Sequence, residues 1–462
     1  MTSNIEPSDY PALIERLREA FATGKTRSLD WRRSQLDALE RLLDENEEAI
    51  EQALSIDLGK PPQEVLLGEV GLLYSEIGHA RRNLKRWSRP RRVFTPMVGQ
   101  PGRSWVQPEP LGVVLIMGAW NYPVQLSLSP LIPTLAAGNC AVVKPSEIAA
   151  ATSALLADLL PKYLDSGAIA VVEGAVEETT ELLKQRFDHI FYTGGAMVGR
   201  IVMKAAAEYL TPVTLELGGK SPCVIDRGAD LQSAARRLIW GKCLNAGQTC
   251  IAPDYVLVAP GERAALIDAI QVELEKMYGA DRLASADYCK IINRRHFDRL
   301  TGLMRDGQVA VGGRSDAEAL RIEPTVLTDV SADGAVMREE IFGPILPVLE
   351  VEDLDQAIAF IRAREKPLSA YLFTRSKDSE RRFVDEVSTG NLCINDVLMF
   401  MSVPGLPFGG VGESGMGQYH GKAGFDRLSH LKAVMKRGRF PEIPVRFAPY
   451  STFKTKVLKW LS

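Results

Sequence analysis

The sequence lacks an excess of charge of either sign: 55 Lys and Arg stand against 58 Asp and Glu, a formal net charge of -3. A nucleic-acid binder usually carries a basic excess, so no nucleic-acid partner is expected. No run reaches about 18 consecutive apolar residues, so no membrane-spanning helix is expected. The opening MTSNIEPSDYPALIERLREA holds no unbroken apolar stretch, and no secretory signal is expected. Six cysteines (Cys140, Cys223, Cys243, Cys250, Cys289, Cys393) are scattered over 462 residues, without CxxC, HExxH or paired His/Cys spacing. Neither a disulfide scaffold nor a metal site is expected; free thiols in a reducing cytoplasm are. There is no internal repeat and no low-complexity run. What is plentiful is apolar sequence. At 46% hydrophobic the chain can bury a sizeable core. Its length implies roughly two or three domains.

From Leu29 to Leu54 apolar residues recur at helical spacing until Gly59 and Pro61-Pro62 break the pattern, which predicts one amphipathic helix. The basic run from Arg82 to Val93 reads as a solvated face. At Leu111 the rhythm changes. LGVVLIMG, CAVVKPSE, IAVVEG, HIFYTGG and PVTLELGG read as short strands, with helical segments such as ATSALLADLLPKYL and VGRIVMKAAAEYL between them. Apolar strands alternating with helices predict an α/β fold with a parallel sheet covered on both faces. Ligands of such sheets bind beyond the carboxyl ends of the strands. WNYP, KPSE, YTGGAMVG and LELGGK punctuate those ends. After Gly219 a second α/β rhythm follows: CVID, YVLVAP and LSAYLFT as strands, LQSAARRLIWGKCL and DLDQAIAFIRARE as helices. VPGLPFGGVGESGMGQYHG marks a loop-rich segment, and the tail after Gly438 reads as irregular.

Two stretches invite comparison with a phosphate loop, and neither completes it. GKT at Gly24 has Glu19 where the first glycine belongs, and GGAMVG is followed by Arg200 and Ile201 instead of Lys and Ser/Thr. GGAMVG does follow an apolar strand and open a helix, where glycines let backbone approach a ligand and a helix N-terminus favours phosphate; a plain tight turn is the alternative. Cys250 in NAGQTCIAP is by itself most simply a small packed residue, the common fate of a free cysteine. Glu216 alters that balance. A carboxylate at the end of an apolar strand is desolvated, its pKa rises, and it can act as a general base; a salt-bridged strand-end glutamate is the plain alternative. Asn121, just past a buried strand, can donate to a developing oxyanion, or can simply shape a turn before Pro123.

Taken together, WNYP, VVKPSE, YTGGAMVG, LELGGKSP, GQTC and EEIFGPI resemble, in order and spacing, the NAD(P)-dependent aldehyde dehydrogenase superfamily over nearly the whole chain. LELGGKSP and GQTC, with 34 residues from Glu216 to Cys250, are the most specific part. The tyrosine after Asn121 and the ending SGMGQYHGKAGFDRLSH resemble the class 3, fatty-aldehyde dehydrogenase-like branch. The resemblance implies a Rossmann-like cofactor domain (1–90 and 111–216), a second α/β catalytic domain (217–400), a small β bridging region for oligomerisation (91–110 and 401–440) and a C-terminal tail (441–462). It implies that Cys250 attacks the aldehyde as a thiolate needing only modest activation, that the Asn121 amide and the Cys250 N–H hold the oxyanion, and that Glu216 activates water against the thioester. Lys144 and Glu147 correspond to a pair on the adenosine ribose. Gly194 and Gly199 correspond to glycines of the turn near the pyrophosphate, with Gly195 where many relatives carry a polar residue. Glu340 corresponds to a carboxylate on the nicotinamide ribose, with Phe342 beside it. NAD is the expected cofactor, with NADP also accepted, and a homodimer the expected assembly.

Tyr122, Trp240, Met399, Phe400 and Met401 are candidate walls of an apolar tunnel, with ordinary core packing as the alternative. Such a tunnel suits medium- or long-chain aliphatic, aromatic or isoprenoid-type aldehydes. The terminal FKTKVLKWLS interleaves lysines with apolar residues; it reads as a frayed or partner-packed tail, with weak contact to a membrane surface as the alternative. Two rival functions stand beside the dehydrogenase: a CoA-acylating enzyme, which the retained Glu216 opposes, and a non-catalytic structural or binding protein, which the intact Cys250, Glu216 and Asn121 oppose.

Overall fold

A computed structural model describes residues 5–438 and 444–461. Two sheets carry the molecule. The first runs in the order Gly415–Met416, Val213–Glu216, His189–Thr193, Val113–Met117, Cys140–Lys144, Ile169–Val171. Its last five strands are parallel, and the short Gly415–Met416 edge is antiparallel. Val113–Met117 and Cys140–Lys144 are buried at every position. That is why they read as unbroken apolar runs: helices cover both faces of a parallel sheet and leave no polar side. The second sheet runs Gln308–Val311, Thr325–Thr328, Ile345–Glu350, Tyr255–Val258, Pro222–Ile225, Ser369–Phe373, Asn391–Ile394, parallel except at its first edge.

A third, antiparallel sheet joins Arg91–Val93, Gly102–Pro110 and Ser429–Arg437. Of the described part of the segment 401–440 expected in the bridging region, only this last strand lies there. Gly415–Met416 edges the first sheet, and the helix Gly421–Arg427 packs on the helices Leu131–Ala137 and Gly71–Trp87.

The single helix expected over Leu29–Leu54 is two, Leu29–Glu45 and Glu47–Leu58. Asn46 breaks it. Its side-chain Nδ2 donates to the Leu42 carbonyl, the acceptor an uninterrupted helix reserves for a backbone N–H, and also to Tyr163 Oη, both at 2.9 Å. Leu43, Ile50 and Leu54 stay buried across the break, so the apolar period survives it. The basic run is divided too: Leu84 and Trp87 are buried at the end of the helix Gly71–Trp87, while Arg91–Val93 is exposed. Of the tail expected to be irregular, residues 439–443 lie outside the described residues, 447–451 are irregular, and the end is not. Thr452–Leu461 is a helix, free of Gly and Pro, whose start is fixed by Ser451 Oγ accepting the Lys454 N–H at 3.2 Å; Ser462 lies outside the described residues.

Candidate active site

The carboxyl ends of the first sheet, at Thr193 and Glu216, meet the segments that lead into the strands of the second, at Cys250 and Leu368, around one cavity of about 160 Å³. Cys250 and Glu216 both line it. Most of the remaining wall is apolar, including Leu67, Leu126, Trp240, Ile251, Met401 and Phe408.

Cys250 arrives there by an unusual backbone path. The helix Leu231–Cys243 ends, and Asn245, Ala246 and Gly247 follow with φ of 53°, 51° and 75°. Asparagine and glycine tolerate the left-handed region; Ala246 does not, and such a residue costs of order 1–3 kcal/mol. A dense set of bonds holds the loop. Gln248 Nε2 donates to the carbonyls of Asn245 and Lys290, each at 3.0 Å, and its Oε1 accepts the Ile292 N–H at 2.9 Å. The Asn245 N–H donates to Glu64 Oε2 at 2.9 Å. Asn245 and Gln248 lie inside the NAGQTC stretch, yet side-chain-to-backbone bonds of this kind leave no periodic mark in a sequence.

The cavity opposes ionisation of the thiol. Burial, then the carboxyls of Glu340 and Glu216, push Cys250 above its ordinary value, while its own N–H and that of Ile251 pull it back. Glu216 is 3% exposed, and neither carboxylate oxygen has a hydrogen-bond partner among the described residues. Burial raises its pKa well above the ordinary carboxylate value. Its backbone is firmly placed, the carbonyl accepting the Gly194 N–H at 3.0 Å.

Asn121 is buried behind the same wall. Its Nδ2 donates to the Gln248 carbonyl at 3.0 Å, tying it to the loop that ends in Cys250. An amide nitrogen carries two N–H groups, so a second remains for a ligand. Tyr122 Oη and Thr249 Oγ1 are 2.7 Å apart, and both residues line the cavity. Trp240 and Met401 line it as well, and Met399 is at its half-exposed rim. Phe400 is not part of the lining: its ring stacks on Tyr371 and Phe408, with centroids 6.3 Å and 6.2 Å away, so it backs the wall. The helical turn Met399–Ser402 sends neighbouring side chains in different directions, which a run of three apolar letters does not reveal. Thr193, Leu217, Leu398 and Tyr419 also line it without having been singled out in the sequence.

A larger cleft of about 910 Å³ adjoins, sharing the strand end that runs from Glu216 into Gly218 and Gly219. Of the expected cofactor residues, Gly195 and Glu340 line it, whereas Lys144, Glu147, Gly194, Gly199 and Phe342 are outside its lining. Gly195 precedes the 12-residue helix Ala196–Ala207 with no side chain capping the helix N–H groups, and a Cβ there would meet open space. Such an N-terminus suits an anion. A Cβ on Gly194 would strike Tyr192 Oη. Gly199 is not in the turn: it lies inside the helix, buried, where a Cβ would come within 2.9 Å of Leu217, so it serves close helix packing. Lys144 Nζ pairs with Glu147 Oε2 at 3.0 Å where the strand Cys140–Lys144 ends, a donor and an acceptor for ribose hydroxyls. Glu340 Oε1 is buried without a partner among the described residues, and its carboxyl lies against Gly218, where a Cβ would collide with it. Burial, then Asp254, raises the Glu340 pKa. Phe342 meets Trp120 edge-on at 5.2 Å, beside Asn121.

The comparisons with known proteins agree with this arrangement. The profile of the aldehyde dehydrogenase family matches residues 2–434. A mouse protein described as aldehyde dehydrogenase family 3 member A2 is 48% identical over 449 residues, 97% of this chain and 93% of its own. A rat protein described as aldehyde dehydrogenase, dimeric NADP-preferring, is 46% identical over 442 residues, 94% of this chain and 98% of its own. A solved Staphylococcus aureus AldH in a substrate-bound state superposes with a TM-score of 0.95 at 43% identity, covering 97% of this chain and 98% of its own. The chain belongs to the aldehyde dehydrogenase family, among its class 3 members, and is an NAD(P)-dependent enzyme that oxidises aldehydes.

Proposed function

We propose that the enzyme oxidises apolar aldehydes to carboxylic acids through a covalent intermediate on Cys250. The observation that carries this is the cavity itself: a thiol and a carboxyl with two unpartnered oxygens, enclosed by a wall that is otherwise almost wholly apolar. In its ionised form Glu216 takes the thiol proton, and Cys250 Sγ forms a bond to the aldehyde carbon. The free N–H of the Asn121 amide and the Cys250 backbone N–H receive the charge on oxygen; one such donor is worth about 100- to 1,000-fold in rate. NAD(P)+, when bound, would supply the hydride acceptor; the former aldehyde carbon then stays on Cys250 Sγ as an acyl group. Glu216 releases that proton to solvent, then accepts one from water as the water attacks the acyl carbon; the C–S bond breaks, Glu216 returns the proton to Cys250 Sγ, and the acid leaves. Lys144, Glu147, Glu340, Phe342 and the glycine turn at Gly194–Gly195 would hold the dinucleotide.

The apolar wall supports medium- to long-chain aliphatic, aromatic or isoprenoid-type aldehydes over small polar ones. Six free thiols support a reducing, cytoplasmic setting. The rat relative's description as dimeric supports a homodimer, and Leu431 and Met435, about half-exposed on the bridging strand, give it an apolar surface to bury. The lysines and exposed Phe453 and Trp460 of the C-terminal helix support at most weak contact with a membrane surface. The test is NADH and NADPH formation over a panel of aldehydes. kcat/KM rising with apolar chain length supports the reading, and a preference for small polar aldehydes refutes it. Faster turnover with CoA than with water would favour a CoA-acylating enzyme instead.

A further inference from the structure

Behind Asn121 lies a pair of charges that no step of the reaction uses. Lys60 Nζ and Glu69 Oε1 are 2.5 Å apart, and both side chains are 0% exposed. Lys60 stands in the break after the helix Glu47–Leu58, and Glu69 lies in the π turn Leu66–Val70. A π turn carries an extra residue per ring and redirects the side chains leaving it, and such turns gather at functional sites. This one places Leu67 and Gly68 on the cavity wall and buries Glu69 beside them. Gly68 is tight against Tyr122, whose ring carbon Cε1 would lie 2.8 Å from a Cβ there.

The pair grips one short segment. Lys60 Nζ also donates to the Asn121 carbonyl at 2.9 Å and lies 3.9 Å from the centroid of the Tyr122 ring. Glu69 Oε2 accepts the Gln125 N–H at 2.8 Å. From the opposite side, Asn245 Nδ2 donates to the same Asn121 carbonyl at 2.8 Å. Stability alone gives little reason for charge here, because an apolar pair of similar volume is often as stabilising as a buried ion pair. What apolar side chains cannot do is fix the direction of a carbonyl and of an N–H.

We propose that Lys60 and Glu69 are positioning residues: they lock the segment Asn121–Gln125 so that the free N–H of the Asn121 amide aims at the aldehyde oxygen and the Tyr122 ring stays in the substrate wall. The inference rests on the oxyanion role given to Asn121 above.

The test separates aim from stability. Lys60→Met strands the buried Glu69 carboxyl and lowers the melting temperature; the double variant Lys60→Met/Glu69→Met removes both charges at similar volume and regains most of it. Both variants lower the single-turnover rate of NADH formation at saturating aldehyde by about 100-fold, the scale of a misaimed group. Alkylation of Cys250 by iodoacetamide, which creates no oxyanion, keeps the parent's rate, and the dissociation constant for NAD is unchanged. Recovery of the single-turnover rate together with the melting temperature in the double variant overturns the proposal. So does a parallel loss of alkylation, which would mean a collapsed pocket. Glu69→Gln, a milder change that retains an acceptor, also slows single turnover; the parent's rate there overturns the proposal as well. Asn121→Ala, measured alongside, distinguishes the two layers. If it loses rate while the Lys60 variants keep theirs, only the positioning claim fails; if it too keeps the parent's rate, the oxyanion reading fails first.

Discussion

Replacing Glu216 by glutamine removes a buried carboxyl and keeps its shape, and the consequence for stability follows from its surroundings. Neither oxygen is hydrogen-bonded among the described residues, and burial raises its pKa well above the ordinary 4.5. Between the unfolded value and the raised folded one, the unfolded chain has lost this proton while the folded chain keeps it. The parent's stability therefore falls as pH rises through that window, by up to about 1.4 kcal/mol per pH unit for a single group. Glu216→Gln has no such proton to lose. Its melting temperature, compared with the parent's at intervals of about one pH unit from about pH 5 upward, should show an advantage that widens step by step until the folded pKa is reached. The raised groups Glu340 and Cys250 are present in both proteins and largely cancel in the difference. Parallel curves would refute the reasoning, because they would mean that Glu216 titrates alike in the folded and unfolded chains. The same variant carries a kinetic prediction: a first burst of NADH, then a collapse of steady-state turnover as deacylation fails. Wild-type steady-state turnover would show that another group activates the water.

Three further outcomes follow. Glu147→Gln should shift kcat/KM toward NADP, by less than the roughly 4 kcal/mol of two bare charges at 4 Å, since Lys144 already neutralises much of the carboxylate; an unchanged NAD/NADP ratio means that Glu147 does not read the ribose. Light scattering at micromolar concentration should give a homodimer, and a monomer counts against the bridging sheet as an interface. Replacing Cys140, Cys223, Cys243, Cys289 or Cys393 singly by alanine should leave turnover near the parent's wherever the variant folds, whereas Cys250→Ala should abolish it and retain cofactor binding.

The parts legible in the sequence are those whose residue types answer to one local rule. Val113–Met117, Cys140–Lys144 and His189–Thr193 are buried along their whole length, so their apolar runs name them as strands. Glu216 and Cys250 stood out because a carboxylate at an apolar strand end and a thiol in a polar turn are out of place locally, and the superfamily resemblance joined them. What stayed hidden depends on distant partners. The helix Lys377–Glu386 buries one side chain, Phe383, and so has almost no apolar stripe to read. The break at Asn46 turns on a side-chain bond to Tyr163, far along the chain. Gly199 is spaced like a turn glycine but serves helix packing, and the direction of Phe400 is set by Tyr371 and Phe408. Lys60 and Glu69 look like ordinary polar letters; only the fold shows them sealed together under Asn121.

The central claim is that the aldehyde becomes an acyl group on Cys250 and that Glu216 removes it. Glu216→Gln, mixed with an apolar aldehyde and NAD and then quenched in acid, should yield protein heavier by the aldehyde's mass less two hydrogens. Peptide mapping should place that acyl group on Cys250 alone, and the adduct should be absent without NAD. An unmodified Cys250 after the NADH burst, or the acyl group on another cysteine, would contradict the account.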